Sequence, residues 1–202
     1  MNKTWSRLFW VMGLSLAVTN CGSESDSDPT EAFNEAEGIY SLDTRSRNDA
    51  ACSEGGESLL TDTSDRYVLA RSASVFGFPL LNLVSCASPA DCRDKSAKMD
   101  AMEGYLIDFS YTVSEADDAG NFIGEGASTG FGRDGMCEEA EVTKTIVTLN
   151  DTSLSVRQEI TIAEPFAQDV EGYCTTTAAQ AAVEGASCSA LEMLTATFAE
   201  AL

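Results

Sequence analysis

The sequence predicts an α+β domain. An antiparallel β-meander, able to curl into a cup or barrel, packs with a central helix and C-terminal helices and is stapled by disulfides. Three observations carry this. Residues 104–163 hold four runs of alternating apolar and polar side chains joined by short polar turns, the period-two mark of half-buried strands. Helix-start chemistry stands at Ser88-Pro89, and an Ala-rich run spans 175–184. Six cysteines lie in the body of the chain.

In chain order, 38–44 reads as a first strand, with Tyr40 and Leu42 on one face and Ser41 and Asp43 on the other. A polar loop over 45–63 contains Cys52 and Gly55-Gly56. Residues 66–76 read as a strand, although Tyr67-Val68-Leu69-Ala70 also suits a helix, and 76–84, with Pro79, as buried extended chain. Ser88 is the expected N-cap of a helix to about residue 102, Pro89 its first residue, Asp91 favourable at the positive end of the dipole and Gly104 the stop. In 105–113, Tyr105, Ile107, Phe109, Tyr111 and Val113 alternate with Leu106, Asp108, Ser110 and Thr112. A turn at 116–121 returns the chain through 122–131. Gly130, Gly132 and Gly135 break the run, and 141–149 restarts it. After a turn at 150–153, Leu154, Val156, Ile160 and Ile162 share a face that Gln158 interrupts. Pro165 ends the sheet. Residues 175–184 read as a helix stopped by Gly185. A second helix is expected from Ser189, with Glu192 as reciprocal cap and a stripe of Leu191, Leu194, Phe198 and Leu202.

The formal charge is −21 over 202 residues. Residues 1–20 contain Lys3, Arg7 and no acid, so the remainder has 10 basic against 33 acidic residues, or −23. Such a surface repels nucleic acid and anionic lipid at long range and suits a soluble exported domain. Residues 8–18 are an uninterrupted apolar run behind a basic start, too short to span a bilayer as a helix and suited to a signal peptide over 1–20. The run closes on Val18-Thr19-Asn20-Cys21. Here the sequence resembles the bacterial lipoprotein family, whose signal has an apolar residue three before a cysteine, small residues between and cleavage just before it. The resemblance covers the first 21 residues, and Asn20 stands where the family usually has Gly, Ala or Ser. It implies a diacylglyceryl and N-acyl (palmitate-type) anchor on Cys21. Gly22, where an Asp often marks inner-membrane retention, implies the outer membrane of a Gram-negative cell, in the envelope with the periplasm, with the leaflet left open. Residues 21–37, polar and acidic, read as the acylated cysteine and a disordered tether, leaving 38–202 as one domain.

Cys52, Cys86, Cys92, Cys137, Cys174 and Cys188 are even in number and, in an exported chain, read as three disulfides. Fifteen pairings are possible. The expected set is Cys86–Cys92 across the helix start, Cys174–Cys188 around the Ala-rich helix, and Cys52–Cys137. No Cys-x-x-Cys spacing suggests zinc.

The chain has no histidine, which excludes Ser-His-Asp and Cys-His catalysis, HExxH sites and imidazole-held metals. Gly124-x-Gly126 and Gly130-x-Gly132 lie in or near strands and read as bulges or bends rather than a phosphate cradle. Glu115-x-Asp117-Asp118-x-Gly120-Asn121 reads as a hairpin turn, because Ala119 and Gly126 fall where a calcium loop needs oxygen ligands. Glu138, Glu139 and Glu141 read as a solvated face, and Ser72 and Ser74 lack a visible base. No cofactor, metal or catalytic set is expected.

The expected function is a non-catalytic, lipid-anchored envelope protein with a binding or structural domain. Its partners are the membrane through Cys21 and a small apolar ligand or an exported protein, with no nucleic acid. A meander with a terminal helix is similar to a lipocalin at the level of fold, although Gly38-Ile39-Tyr40 lacks that family's Gly-x-Trp. Two alternatives stand beside it: an exported hydrolase working with paired carboxylates, and an inhibitor or interaction module for an exported, basic protein.

Overall fold

Antiparallel pairing between chain neighbours runs almost all the way round this protein. The computed structural model describes residues 29–202 apart from 62, 76–77, 102–110, 118–119, 131–133, 139 and 151. Its main strands are β1 (Gly38–Asn48), β3 (Tyr67–Val75), β4 (Phe78–Cys86), β5 (Tyr111–Val113), β6 (Glu115–Ala116), β7 (Asn121–Thr129), β9 (Ala140–Asn150), β10 (Ser153–Ala163) and β12 (Ala190–Glu200). Short β2 (Glu57–Ser58) pairs with β1, and β8 (Met136–Cys137) pairs with β11 (Phe166–Ala167). Three helices are α1 (Pro29–Glu35), α2 (Pro89–Asp100) and α3 (Thr176–Val183).

The sheet order is β5-β4-β3-β1-β12-β10-β9-β7-β6. Since β5 and β6 are two halves of one segment bent at Ser114, the order returns on itself. Each strand neighbours the next in sequence and β12 joins β1, giving a nearly closed up-and-down barrel. Short turns gather at one end, with α1 and the finish of β12. The strand ends that lead into the long connections, β1 to β3, β4 to β5, β7 to β9 and β10 to β12, gather at the other.

Alternation places one row of each strand inside. Tyr40, Leu42, Val68, Leu81, Leu83, Val113, Phe122, Val147, Leu154, Val156 and Leu194 form one buried cluster, closed at the short-turn end by Phe33 of α1. Phe33 meets Phe122 edge-on, with ring centroids 5.2 Å apart. Outside the wall, α2 covers Ile39, Leu69 and Val84, and α3 seats Ala179 on Ala140 and Ala163. Ser88 caps α2 as expected, accepting from Asp91 N at 3.2 Å, while Asp91 Oδ2 accepts from Ala87 N at 2.9 Å. Thr175 caps α3 by accepting from Ala178 N at 3.2 Å.

Three expectations are corrected. Residues 190–200 are a strand, not a helix. The alternation of Leu194 and Ala196 inward with Thr195 and Thr197 outward coexists with the helical stripe, and hydrogen bonding to β1 and β10 on both flanks decides it. Residues 29–36 are not disordered tether, because α1 forms there and Phe33 and the following Ala36 are buried. Finally, the disulfides are Cys52–Cys188, Cys137–Cys174 and Cys86–Cys92, so only the last matches. Asn48 pairs with Leu191, which brings Cys52 and Cys188 to a Cα separation of 5.5 Å although they lie 136 residues apart. All three bridges lie at the long-connection end, with Cys86 closing β4 and the other five cysteines within the connections. The expected stop at Gly104 and most of the 105–113 strand lie outside the described residues.

Candidate binding slot

The seam of the barrel lies between β5 and β7. Above Ser114 the segment pairs with β4, and below it with β7; Ser114 N donates to Ile123 O at 2.9 Å where the partner changes. Gly124 faces this exchange so closely that a Cβ would sit 2.1 Å from the Thr112 carbonyl oxygen. Only glycine lets the two backbones approach here. Because Gly124 and Gly126 carry no side chains, the wall thins into a slot of about 320 Å³. Tyr111, Thr143, Thr145 and Gln158 line it from the barrel interior, Thr112 and Ser114 from the seam, and Leu80 and Glu125 complete the lining.

The floor is a polar network. Gln158 Nε2 donates to the hydroxyl of buried Thr145 at 3.0 Å. Beside it, Tyr111 donates its phenol proton to Glu192 Oε1 at 2.6 Å, and Arg45 Nε donates to the same oxygen at 2.7 Å. Glu192 is only 6 % exposed, so its charge is held by a counter-ion and hydrogen bonds rather than by water. Burial, reinforced by the Glu192 charge, pushes the Tyr111 phenol well above its ordinary value. Burial opposes the Arg45 charge, yet Tyr111 and Glu192 outweigh it and hold the guanidinium above its usual value.

A β-bulge puts Arg45 there. Leu42 opposes Ala196 but Thr44 opposes Thr195, so Asp43 is an extra residue and the alternation of β1 flips. Arg45 then falls opposite inward Leu194 instead of pointing to solvent. Lys95 of α2 donates to Ser85 O at 2.7 Å, behind the Ser85 hydroxyl that Arg45 Nη1 reaches at 3.4 Å.

The result is a slot lined mainly by hydroxyl and amide groups, with the exposed carboxylate of Glu125 among them and, behind Tyr111, a buried acid already paired with Arg45. It can exchange hydrogen bonds with a small, neutral, polar molecule. A larger groove of about 690 Å³ lies at the other end, lined by Glu35, Glu37, Tyr40 and Phe198 among others. The Tyr40 hydroxyl is committed to Ala36 O at 2.9 Å, leaving that groove a rim of carboxylates.

The sequence candidates scatter. Gly124 and Gly126 line the slot. Ser72 lies at the short-turn end, its hydroxyl bonded to Glu37 and Asn34, and Ser74 is exposed. Glu138 and Glu141 face solvent, while Glu139 and Gly132 lie outside the described residues. Asp117 spends both carboxylate oxygens on Asn121, at 2.8 and 2.9 Å, as a hairpin turn does. Cys21 lies outside the described residues. Among those described, no three His, Cys, Asp or Glu side chains converge as a metal site would need. Sequence reasoning missed Arg45 and Tyr111 as site residues and took Glu192 for a helix cap; Gln158, a polar residue in an apolar row, was the one visible signal. No protein-family model, no curated protein and no solved structure matches this chain.

Proposed function

We propose that this chain is an exported lipoprotein of the bacterial envelope, held by acyl chains on Cys21 at the outer membrane, whose barrel is a non-catalytic binding domain for a small, neutral, polar ligand. The observation that supports the ligand class is the β5–β7 slot, lined chiefly by hydroxyl and amide groups, with the lining Tyr111 bonded behind it to the paired Glu192 and Arg45. Three disulfides across the long connections favour an oxidising compartment and hold the slot end rigid without a ligand. A polar ligand is favoured over an apolar one because side chains already fill the apolar half of the interior, from Phe33 to Val156.

The test is a native intact mass of protein extracted gently from its own membranes. The expected species carries acyl chains on Cys21, is six hydrogens lighter than the reduced chain, and retains a non-covalent small molecule. The paired change Thr145→Val with Gln158→Leu removes both partners of one hydrogen bond and should abolish that retained mass while sparing the fold. An unacylated species overturns the anchor. A molecule retained equally by the paired variant overturns the slot.

A further inference from the structure

One register row runs round the barrel wall at the slot: Gly124 opposes Thr145, which opposes Gln158, which opposes Glu192. A second row beside it sets Gly126 against Thr143. The two threonines stand about 7 Å apart along β9, with Gln158 about 5 Å to one side on β10 and side-chain-free glycine on the other. Hydrogen bonds around the slot are unevenly spent. Tyr111 gives its proton to Glu192, Thr112 Oγ1 donates to Asn82 Oδ1 at 3.0 Å, and Gln158 Nε2 donates to Thr145. Thr145 thus accepts and has its own proton to give, while among the described residues nothing donates to Gln158 Oε1. The Thr143 hydroxyl lies 3.5 Å from Gly126 O, too far for a strong bond. Glu125 adds a carboxylate at the rim, with Lys144 opposite it in register, and no Lys or Arg is among the described lining residues. What the slot has left to offer is hydroxyl groups, which both donate and accept, and oxygens that only accept.

We infer that the slot takes an uncharged, polyhydroxylated ring: a monosaccharide or a cyclic polyol. This rests on the slot reading above and narrows it. A hydroxyl gives and accepts at one atom, so a ring carrying hydroxyls on neighbouring carbons answers Thr143, Thr145 and Gln158 together. A simple amide divides the two roles between N–H and C=O and answers fewer of them. An anion would meet the Glu125 carboxylate with no cation in the lining to offset it. The slot, about 320 Å³, lies at the small end of the roughly 300–1,000 Å³ of ligand pockets, which suits one ring rather than a chain of them. Leu80 and the ring of Tyr111 supply apolar surface for its C–H groups.

The test is ligand-observed saturation-transfer NMR on the full chain in a zwitterionic detergent free of sugar. The probes are glucose, galactose, mannose, N-acetylglucosamine and myo-inositol, with acetamide and methylurea as uncharged molecules that lack hydroxyls. The expected result is saturable transfer to at least one ring polyol and to neither amide. Thr143→Val, which breaks no strong bond of the fold, should weaken that binding tenfold or more at an unchanged melting temperature. Thr145→Val with Gln158→Leu should abolish it, and serves as the second variant should Thr143→Val fold poorly. Transfer to acetamide or methylurea alone, lost in the paired variant, overturns the polyol and leaves the slot standing. No transfer to any probe overturns the polyol, and the slot falls with it when the native mass also retains no small molecule. A polyol bound equally by Thr143→Val and by the paired variant lies elsewhere and overturns the assignment.

Discussion

Tyr111 and Glu192, 81 residues apart, meet across the barrel interior through a 2.6 Å hydrogen bond from phenol to carboxylate. Arg45 donates to the same oxygen at 2.7 Å, so one atom ties together β5, β12 and β1. Removing one member should cost more than removing the pair. Tyr111→Phe is expected to lose about 1.5–3 kcal/mol, the range for a bond to a charged group. Glu192→Leu strands a half-buried guanidinium and is expected to lose about 3–5 kcal/mol. Arg45→Met added to Glu192→Leu should recover much of that loss. Urea denaturation of the single and double variants measures the coupling, and additive losses would mean that the three residues do not act as a unit.

The same bond predicts an alkaline limit. An ordinary tyrosine titrates at 10.0, and burial first, then the Glu192 charge, hold Tyr111 above it. A raised value in the folded state means that the stabilisation is whole below pH 10 and falls as pH climbs from there toward the folded value. Tyr40, raised by burial, works in the same direction. Melting temperature should therefore stay level up to about pH 10 and then drop, with a shallower fall in Tyr111→Phe and a shallower one still when Tyr40→Phe is added. Identical alkaline slopes in all three proteins would contradict the buried phenols.

At the acid side the relevant group is Asp91. Its carboxylate lies below its usual value, chiefly through the hydrogen bond from Ala87 N and secondarily through Lys95. A depressed value means stabilisation present above the ordinary carboxylate range and lost as pH falls through the folded value. Asp91→Asn should lower stability slightly at neutral pH and soften the acid limb by the same amount, the two proteins converging at low pH, a small effect because the group is largely solvated.

Peptide mapping without reduction should recover Cys52–Cys188, Cys86–Cys92 and Cys137–Cys174. Replacing Cys52 and Cys188 together by Ser opens the longest loop and should cost about 4 kcal/mol. Recovery of a peptide joining Cys52 to Cys137 would contradict the barrel closure that brings Asn48 beside Leu191.

Phe33→Ala tests the plug. The side chain is 1 % exposed, sits against Phe122 and has little around it able to collapse, so the expected loss is about 3–5 kcal/mol. A truncated protein starting at residue 38 should be less stable by at least as much. A loss under about 1 kcal/mol would return 29–37 to the status of a tether.

Much of the barrel was legible because alternation is a local signal. β7, β9 and β10 fall where their polar–apolar rhythm puts them, and Ser88 caps α2 because capping is a matter of neighbours. What failed was decided at long range. Leu191, Leu194 and Phe198 fit both a helical stripe and a strand, and only the flanks offered by β1 and β10 choose between them. The Asp43 bulge has no mark in sequence, yet it turns Arg45 inward onto Glu192. Cysteine pairing guessed from sequence distance favoured Cys174–Cys188, where the closure of a barrel brings Cys52 to Cys188 instead. Around α1, the acids beside Phe33 and Ala36 masked two apolar residues that are enough to hold about two helical turns against an aromatic neighbour.

The ladder between β1 and β12 joins residues some 150 positions apart, Tyr40 with Phe198 and Arg45 with Leu194. No shorter piece of the chain can form it. While the polypeptide is being synthesised, β1 has only β2 and β3 beside it, Glu192 does not yet exist to meet Arg45, and the largest loop entropy is settled last. A nascent chain is thus kept from locking by the order of its own strands. Until the final stave emerges the barrel cannot close, and the β3–β4 and β9–β10 hairpins, which need nothing from β12, stand as separate pieces.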